Sequence, residues 1–244
     1  MTYVPFQRRE FEYDPQVGWS AAEHDLSSTF TVLIDGIVGL ENFTAIDVGC
    51  GRGRLALHLA ARAARVVGID WDPSQIDLAR TRAEELHCTR VGFVCADAEQ
   101  IEYRDLVAGS PVHLVAANLC MSSAIMARAY RALAPVGVFL FEAFHRSQWQ
   151  ETGILSRFAW NEEDMAACLR ELGFRIEYLG VEQDAVRFRG KEEFLQSGLV
   201  SGQLREKWER DGRWAGLLDS FQREGCRLTV RGHLIVKAIK EGQT

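Results

Sequence analysis

A glycine-dense turn between two apolar runs constrains the fold of this chain more than any other feature. The segment AIDVGCGRGRLALHLAARAARVVGID covers residues 45–70. Its first apolar run ends at Asp47, glycines then occupy alternate positions from Gly49 to Gly53, and a helical stretch leads to a second run that ends at Asp70. This order is typical of a strand, loop, helix and strand that hold an adenosine-containing cofactor at the carboxyl edge of a parallel sheet.

The spacing of the glycines argues against a dinucleotide site. The dinucleotide pattern G-x-G-x-x-G ends in a small residue, which lets the helix pack close to the strand and direct its N-terminus at a pyrophosphate. Arg54 occupies that place here, and its long cationic side chain opposes close packing. The sequence also contains no G-x-x-x-x-G-K-[ST] phosphate loop.

The loop resembles motif I of the class I S-adenosylmethionine-dependent methyltransferases, in which an acidic and an apolar residue precede G-x-G-x-G. The residues that match are Asp47, Val48, Gly49, Gly51 and Gly53. The resemblance implies that S-adenosylmethionine (SAM) is the cofactor, because in this family the loop lies against the methionine and ribose parts. The cofactor-binding loop residues that it implies are Asp47, Gly49, Cys50, Gly51 and Gly53. Glycine also marks ordinary tight turns, so the loop alone leaves that alternative open.

The end of the second apolar run extends the resemblance. A carboxylate at Asp70 can accept charge-assisted hydrogen bonds from both ribose hydroxyls. Asp72, followed by Pro73, already provides the N-cap of the next helix, so Asp70 is not needed for that role. Trp71 lies where the family often places an apolar residue against the adenine, although it could equally be a partly buried core aromatic.

The third and fourth apolar runs end in further matches. In the family, an acidic side chain and a neighbouring backbone amide read the adenine amino group at the end of the third run, and Asp97 and Ala98 stand there. The fourth run ends at Asn118 and Leu119, where the resemblance implies a position beneath the methionine part and the reacting methyl group. A serine follows at Ser122, and we expect it to cap the next helix.

The resemblance and the alternating apolar runs together predict an α/β fold. We expect a doubly wound, Rossmann-like sheet of seven strands, mostly parallel, with an antiparallel last strand. Residues 1–43 are predicted to be an N-terminal helical lid and residues 44–182 the SAM-binding core. Residues 183–225 are predicted to be a helical insertion over the acceptor pocket, or else a plain packing layer, and residues 226–244 the final strand.

The net charge, the cysteines and the lengths of the apolar runs limit which partners and which compartment we expect. The net charge is −6, which disfavours nucleic acid as a partner because nucleic-acid modifiers usually present a basic face. The six cysteines form no CxxC pair, and we expect them to be reduced thiols with no metal site. No apolar run approaches the length of a membrane span, and the N-terminus lacks a signal-peptide core, so we expect a cytoplasmic protein. The oligomeric state is left open.

Methyl transfer from a sulfonium depends mainly on in-line positioning of the acceptor, and a base is needed only if the acceptor loses a proton. His145, just after the fifth strand, is the first candidate base, although a loop histidine is often simply solvated. Tyr13 is the second candidate, in a segment where Trp19 and His24 could also form a lid or pack on the sheet edge. His233 alternates with the apolar face of the last strand, so we expect it at the surface.

The sequence therefore predicts SAM-dependent methyl transfer to a small-molecule acceptor by in-line displacement. Leu119 and Cys120 stand where the Asn-Pro-Pro-Tyr methyltransferases of nucleic acids and protein glutamine have prolines. Three alternatives stay open: a SAM-binding scaffold or regulatory protein without transferase activity, an RNA or protein methyltransferase, and a nicotinamide-dependent oxidoreductase. Arg54 argues against the last of these.

Overall fold

The computed structural model describes residues 2–3, 7–16 and 26–242, with strands and helices arranged around one sheet. The strands are β1 (Thr2–Tyr3), β2 (Gln7–Glu12), β3 (Thr44–Val48), β4 (Arg65–Asp70), β5 (Val91–Cys95), β6 (Val112–Asn118), β7 (Leu133–Phe144), β8 (Phe174–Arg187) and β9 (Arg227–Lys240). Within the described ranges these nine strands form a single sheet in the order β1-β8-β9-β7-β6-β3-β4-β5, and β2 also pairs with β8.

Helices flank the sheet and begin where the sequence predicts caps. They are α1 (Ser28–Asp35), α2 (Arg54–Ala60), α3 (Pro73–Glu85), α4 (Ser123–Ala132), α5 (Glu162–Glu171), α6 (Lys191–Gln196), α7 (Gly202–Asp211) and α8 (Arg213–Arg223). The carboxylate of Asp72 accepts a hydrogen bond from the backbone amide of Ser74, and the hydroxyl of Ser122 accepts one from Ile125. Both caps satisfy amides that the first turn of a helix leaves without partners.

The direction of the strands determines where a ligand can bind. Strands β3 to β7 are parallel and lie in the order β5-β4-β3-β6-β7, which confirms the predicted doubly wound fold. The chain turns to opposite sides of β3 when it forms β4 and β6. Loops at such a switch point open a crevice at the carboxyl ends of the strands. The residues that follow β3, β4, β5 and β6 therefore meet at one edge of the sheet.

The two faces of the sheet bury two separate apolar clusters, because helices cover both faces. The cluster beneath α4 and α5 contains Ile46, Val115, Ile125, Phe139, Phe141 and Met165. The cluster beneath α1, α2 and α3 contains Phe30, Ile34, Leu55, Ile76, Leu114 and Leu140. Burial of this kind stabilises a fold by about 25 cal/mol per Å² of apolar surface and keeps the edge loops in place.

The last two strands form a long antiparallel hairpin. Strand β9 is antiparallel to both β7 and β8, which confirms the predicted antiparallel last strand. Strand β8 continues to Arg187, beyond the predicted end of the core at residue 182. The additional residues are buried because the far end of the hairpin packs on a third apolar cluster, through Val186 and Leu228.

The N-terminal segment differs from the predicted helical lid over residues 1–43, because its described part also contains strands. Strands β1 and β2 pair in parallel with the outer edge of β8, which raises the number of strands above the predicted seven. The side chains of β2 are all exposed, so this strand has no apolar period from which it could be predicted. Only α1 and the short turn Leu40–Asn42 are helical in the described part of the segment. The lid candidates Trp19 and His24 lie outside the described residues.

Three helices, α6 to α8, occupy the predicted insertion. They pack around buried aromatic and aliphatic side chains, among them Phe188, Phe194, Trp208, Trp214, Leu217 and Phe221. Whether this insertion covers an acceptor pocket stays a prediction. No helix in the described ranges has both the length and the apolar character needed to cross a membrane.

Candidate functional site

Three adjoining cavities lie along the carboxyl edge of the sheet. The loop cavity has a volume of about 570 Å³, and its lining includes Asp47, Gly49, Gly51, Arg54 and Asn118. The strand-end cavity has a volume of about 660 Å³, and its lining includes Gly49, Asp70, Trp71, Asp97, Ala98 and Leu119. The aromatic cavity has a volume of about 520 Å³, and its lining includes Leu119, Phe144, His145, Trp149, Trp208 and His233. Gly49 and Leu119 each line two of the cavities, so the three lie side by side along one edge of the sheet, and together they are called the groove.

The glycine loop is shaped by left-handed backbone angles and by close contacts. Gly49, Gly51 and Gly53 have φ angles of 68°, 50° and 79°, which other residues rarely adopt. A Cβ atom on Gly49 would lie 2.5 Å from Cβ of Cys120, whereas a Cβ on Gly51 would meet no atom within 4 Å. Gly49 is therefore required for packing, and Gly51 leaves backbone open to a ligand in the loop cavity.

Asp47 lies at the floor of the loop cavity with an unbalanced charge. Its side chain is buried, and within the described residues neither carboxylate oxygen has a hydrogen-bond partner. Burial raises the pKa of Asp47 to about 7, and the nearby charge of Asp70 adds to the effect, whereas the backbone amide of Ala56 and the charge of Arg54 partly offset it. A buried carboxylate without a partner is costly, so this site favours a ligand that brings a cationic donor.

Asp70 links the glycine loop to the strand-end cavity. One of its oxygens accepts a hydrogen bond from the backbone amide of Gly51 at 2.8 Å, and the other accepts one from Asp72 at 3.0 Å. Each carboxylate oxygen can accept a further bond, so the side chain can still bind a hydroxyl of a ligand. Trp71 next to it is 78% exposed, and the alternative of a buried core aromatic is therefore wrong.

Asp97 and Ala98 line the far side of the strand-end cavity. The carboxylate of Asp97 accepts hydrogen bonds from the backbone amide of Glu99 and from the amide side chain of Gln100, both at 2.8 Å. These bonds fix its orientation within the loop after β5. The structure thus brings Asp70, Trp71, Asp97 and Ala98 together around one cavity.

Asn118 and Leu119 lie between the cavities. The side-chain oxygen of Asn118 accepts a hydrogen bond from Arg54 at 2.6 Å, and its amide donates to Glu142 at 2.6 Å. Leu119 has a φ angle of 59°, which costs a non-glycine residue about 1–3 kcal/mol, and its amide is held by the carbonyl of Glu142 at 2.7 Å. The side chain of Leu119 therefore separates the strand-end cavity from the aromatic cavity at a fixed position.

The two residues predicted to be catalytic do not come together. Nδ1 of His145 lies 2.8 Å from the hydroxyl of Ser147, and Nε2 lies 3.1 Å from the carboxylate of Glu162, so both ring nitrogens are engaged. Burial lowers the pKa of His145 more than Glu162 raises it. Tyr13 stacks on Phe188 with ring centroids 4.9 Å apart, at the third apolar cluster.

The expectation that His233 lies at the surface is wrong. Its side chain is buried, lines the aromatic cavity, and has Nδ1 2.6 Å from Oε1 of Glu142. The alternation rule fails here because nearly all successive residues of β9 are buried, so both faces of this strand are covered. Glu142, a lone charge within the apolar run FLFEAF, was the signal in the sequence for a buried polar partner.

The described residues of the site include neither a reactive thiolate nor a metal-binding cluster. Burial raises the pKa of the Cys120 thiol to about 11 and that of Cys50 even further, so both are protonated at neutral pH. In the part of the chain that the structure describes, no group of three or more His, Cys, Asp and Glu side chains could hold a metal ion.

Comparison with known proteins agrees with this geometry. Residues 45–137 match a family model described as a methyltransferase domain. The malonyl-[acyl-carrier protein] O-methyltransferase of Serratia marcescens is 30% identical over 129 residues, which are 49% of this chain and 44% of that protein. The ribosomal protein L11 methyltransferase of Aliivibrio fischeri (strain MJ11) is 30% identical over 183 residues, which are 73% of this chain and 55% of that protein. The chain thus spans about half the length of these curated relatives.

Solved structures share the fold at low identity. A protein from Bacillus halodurans C-125, described as a candidate methyltransferase, aligns with 88% of this chain and 100% of its own, with a TM-score of 0.66 and 21% identity. Magnesium protoporphyrin IX methyltransferase of Synechocystis PCC 6803, solved with bound S-adenosylhomocysteine (SAH), aligns with 87% of this chain and 82% of its own, with a TM-score of 0.57 and 16% identity. Residues 45–137 therefore resemble a methyltransferase domain, and the chain shares its fold with these solved structures.

Proposed function

We propose that this protein transfers a methyl group from SAM to a small-molecule acceptor by in-line displacement. The observation that carries the proposal is the groove at the switch point of the sheet, with an open glycine backbone in its loop cavity at one end and the aromatic cavity at the other. Ligands of α/β folds bind at this edge. The groove offers separate places for a nucleoside cofactor and for an acceptor.

The residues of the groove fit SAM. The unpartnered carboxylate of Asp47 suits the cationic amino group of the methionine part, and Gly51 permits close backbone approach. Asp70 retains acceptor capacity for ribose hydroxyls, and the exposed ring of Trp71 can cover the adenine. When bound, SAM supplies a methyl group that is already activated by its sulfonium. Asn118, held by Arg54 and Glu142, and Leu119 would set the position of the methyl group toward the aromatic cavity.

The aromatic cavity supports a small acceptor. Its volume of about 520 Å³ lies within the range of about 300–1,000 Å³ for small-molecule sites. Positioning two reactants in such a site can contribute roughly 7–11 kcal/mol to catalysis. A protein acceptor is the second candidate, favoured by the likeness to the ribosomal protein L11 methyltransferase of Aliivibrio fischeri. The net charge of −6 disfavours RNA.

A calorimetric titration with SAH, with NADH in a parallel cell, tests the cofactor. Micromolar binding of SAH without binding of NADH would support the proposal and remove the oxidoreductase alternative. Asp70→Ala should weaken SAH binding by about 1.5–3 kcal/mol, because it removes charge-assisted bonds to the ribose. An unchanged affinity in a folded variant would contradict that role. SAH binding without methyl transfer to any acceptor would favour the scaffold alternative.

We also propose that the protein works in the cytoplasm. All six cysteines are free thiols, and free thiols persist in reducing compartments.

A further inference from the structure

The charge of the aromatic cavity differs from that of the whole chain. The chain has a net charge of −6, yet the described lining of this cavity contains Lys207 and Arg213 and no Asp or Glu. Arg213 pairs with Asp211, whereas Lys207 forms no ion pair within the described residues. A cavity with cationic lining in an acidic protein favours an anionic ligand, since unlike charges attract.

Aromatic side chains form the walls of the same cavity. Trp149 and Trp208 meet edge to face, with ring centroids 5.3 Å apart. Trp208 is buried, and within the described residues its indole N–H has no hydrogen-bond partner. A buried donor without a partner is rare in native structures. The aromatic walls and the nearby cation of Lys207 together suit a planar ring that carries an acidic group.

His233 lines this cavity, and one of its two ring nitrogens already contacts other side chains. Nδ1 lies 2.6 Å from Oε1 of Glu142 and 3.2 Å from Nε of Arg231. Nε of Arg231 is also a donor directed at Nδ1, but the contact with Glu142 is shorter and charge-assisted, so we assign the proton to Nδ1, which donates it to Glu142. Nε2 then presents a lone pair, and within the described residues it has no hydrogen-bond partner. A base oriented by a carboxylate on its other nitrogen is the arrangement used to activate hydroxyl groups.

We infer that the aromatic cavity binds an aromatic acid that also carries a hydroxyl group, and that His233 removes the proton of this hydroxyl during methyl transfer. The inference rests on the proposed function and names its acceptor class and base. The hydroxyl proton passes to Nε2 of His233 as the acceptor oxygen forms its bond to the methyl carbon. The carbon–sulfur bond breaks, its electron pair stays on sulfur to give neutral SAH, and the proton then leaves His233 for solvent.

A matched set of three two-ring probes tests the acceptor class. They are 6-hydroxy-2-naphthoate, with both groups, 2-naphthol, without the carboxylate, and 2-naphthoate, without the hydroxyl. Each is titrated calorimetrically into the protein with and without SAH. We expect both carboxylates to bind about tenfold or more tightly than 2-naphthol. Lys207→Met should remove this preference and leave the SAH affinity unchanged, whereas Lys191→Met, on α6 and absent from the cavity lining, should leave the preference intact.

Measurements of kcat test whether His233 acts as the base. The wild-type protein with SAM should methylate 6-hydroxy-2-naphthoate and not 2-naphthoate. His233→Asn should lower kcat by about 10²–10⁴-fold while the probe still binds. His87→Asn is the matched control, because His87 is exposed and has a φ angle of 51°, a conformation that Asn tolerates. Its kcat should equal that of the wild type.

The dependence of kcat on pH distinguishes a role of His233 as a base from a purely structural role. The charged groups around His233 are Glu142 from β7, Glu182 opposite it on β8, and Arg231 from its own strand, which also lies 3.9 Å from Asp184 of β8. His145 lines the same cavity, so it is replaced by Asn in a parallel series. Wild-type kcat should rise and reach a plateau well below the pKa of the free acceptor hydroxyl, and only His233→Asn should lose that plateau.

The outcomes distinguish the two proposals. Absence of SAH binding would overturn the proposed function, and the probe titration without SAH would still test the cavity. Equal binding of the three probes would overturn the acceptor class. Should His233→Asn fail to fold, the wild-type profile decides, because a kcat that rises up to the pKa of the free hydroxyl would contradict the role of His233. Methylation of 2-naphthoate would contradict it too, since a carboxylate acceptor needs no base.

Discussion

Glu142 connects the cofactor side of the groove with the acceptor side. Its Oε1 lies 2.6 Å from Nδ1 of His233, and its Oε2 accepts the amide of Asn118 at 2.6 Å. Burial alone would raise the pKa of Glu142, but His233 and Arg231 outweigh burial and hold it below its ordinary value. A single ionised carboxylate therefore orients one residue at the aromatic cavity and another at the loop cavity.

Glu142→Gln should lower kcat for hydroxyl acceptors by about 10²–10⁴-fold. A glutamine can donate to Nδ1 of His233, which would place the proton on Nε2 and remove the lone pair from the cavity. KM for the acceptor should change little, since Glu142 does not line the aromatic cavity. Steady-state kinetics over a range of pH measures both effects. A variant with wild-type kcat would show that the tautomer of His233 is irrelevant to turnover.

Arg231→Met should destabilise the fold by about 3–5 kcal/mol, which urea denaturation would measure. Its guanidinium is buried and lies 3.3 Å from Glu142, 3.4 Å from Glu182 and 3.9 Å from Asp184. Removing one partner of a buried ion pair leaves the others desolvated and uncompensated.

Arg205→Met is the matched control for that change. Arg205 forms an exposed pair with Glu209 on α7, and such pairs contribute about 0–1 kcal/mol. Equal losses of stability in the two variants would mean that the buried carboxylates find other partners and that Arg231 is not needed to balance them.

The glycine loop and the strand ends could be predicted from the sequence because their signals are local. Left-handed turns require glycine, so the spacing of Gly49, Gly51 and Gly53 identified the loop. Asp72 and Ser122 marked helix starts for a similar reason, since the capping residue lies beside the amides that it satisfies.

The acceptor side could not be predicted, because it depends on contacts between distant parts of the chain. Glu142 and His233 are 91 positions apart, and their contact follows from the register of β7 with β9. Strand β2 has no apolar period, and its pairing depends on main-chain bonds to β8 and on the ion pair of Arg9 with Asp184. We predicted His145 to be a base because it follows a strand. Its two ring nitrogens instead contact Ser147 and Glu162.

Two glycine substitutions should separate packing from ligand binding. Gly49→Ala would place a Cβ atom 2.5 Å from Cβ of Cys120 at a φ angle of 68°, so we expect it to destabilise the fold by about 2–4 kcal/mol. Gly51→Ala meets no atom within 4 Å and should cost only about 1–2 kcal/mol of backbone strain. Thermal denaturation with and without SAH would show this difference. Gly51→Ala should lose most of the stabilisation by SAH, and full retention would place the ligand away from this loop.

Asp47 should make the stability of the ligand-free protein fall as the pH rises. Burial raises its pKa from 3.8 to about 7 in the folded state, so between these values the folded protein holds a proton that the unfolded chain has released. Each pH unit in this window should cost about 1.4 kcal/mol, and the loss should be complete above pH 7.

Asp47→Asn removes the titrating group, so its stability should fall less steeply between roughly pH 4 and pH 7 than that of the wild type. Urea denaturation of both proteins across this range measures the two slopes, and equal slopes would show that Asp47 is already ionised at low pH. Saturating SAH should flatten the wild-type slope, because a cationic amino group beside Asp47 stabilises the carboxylate.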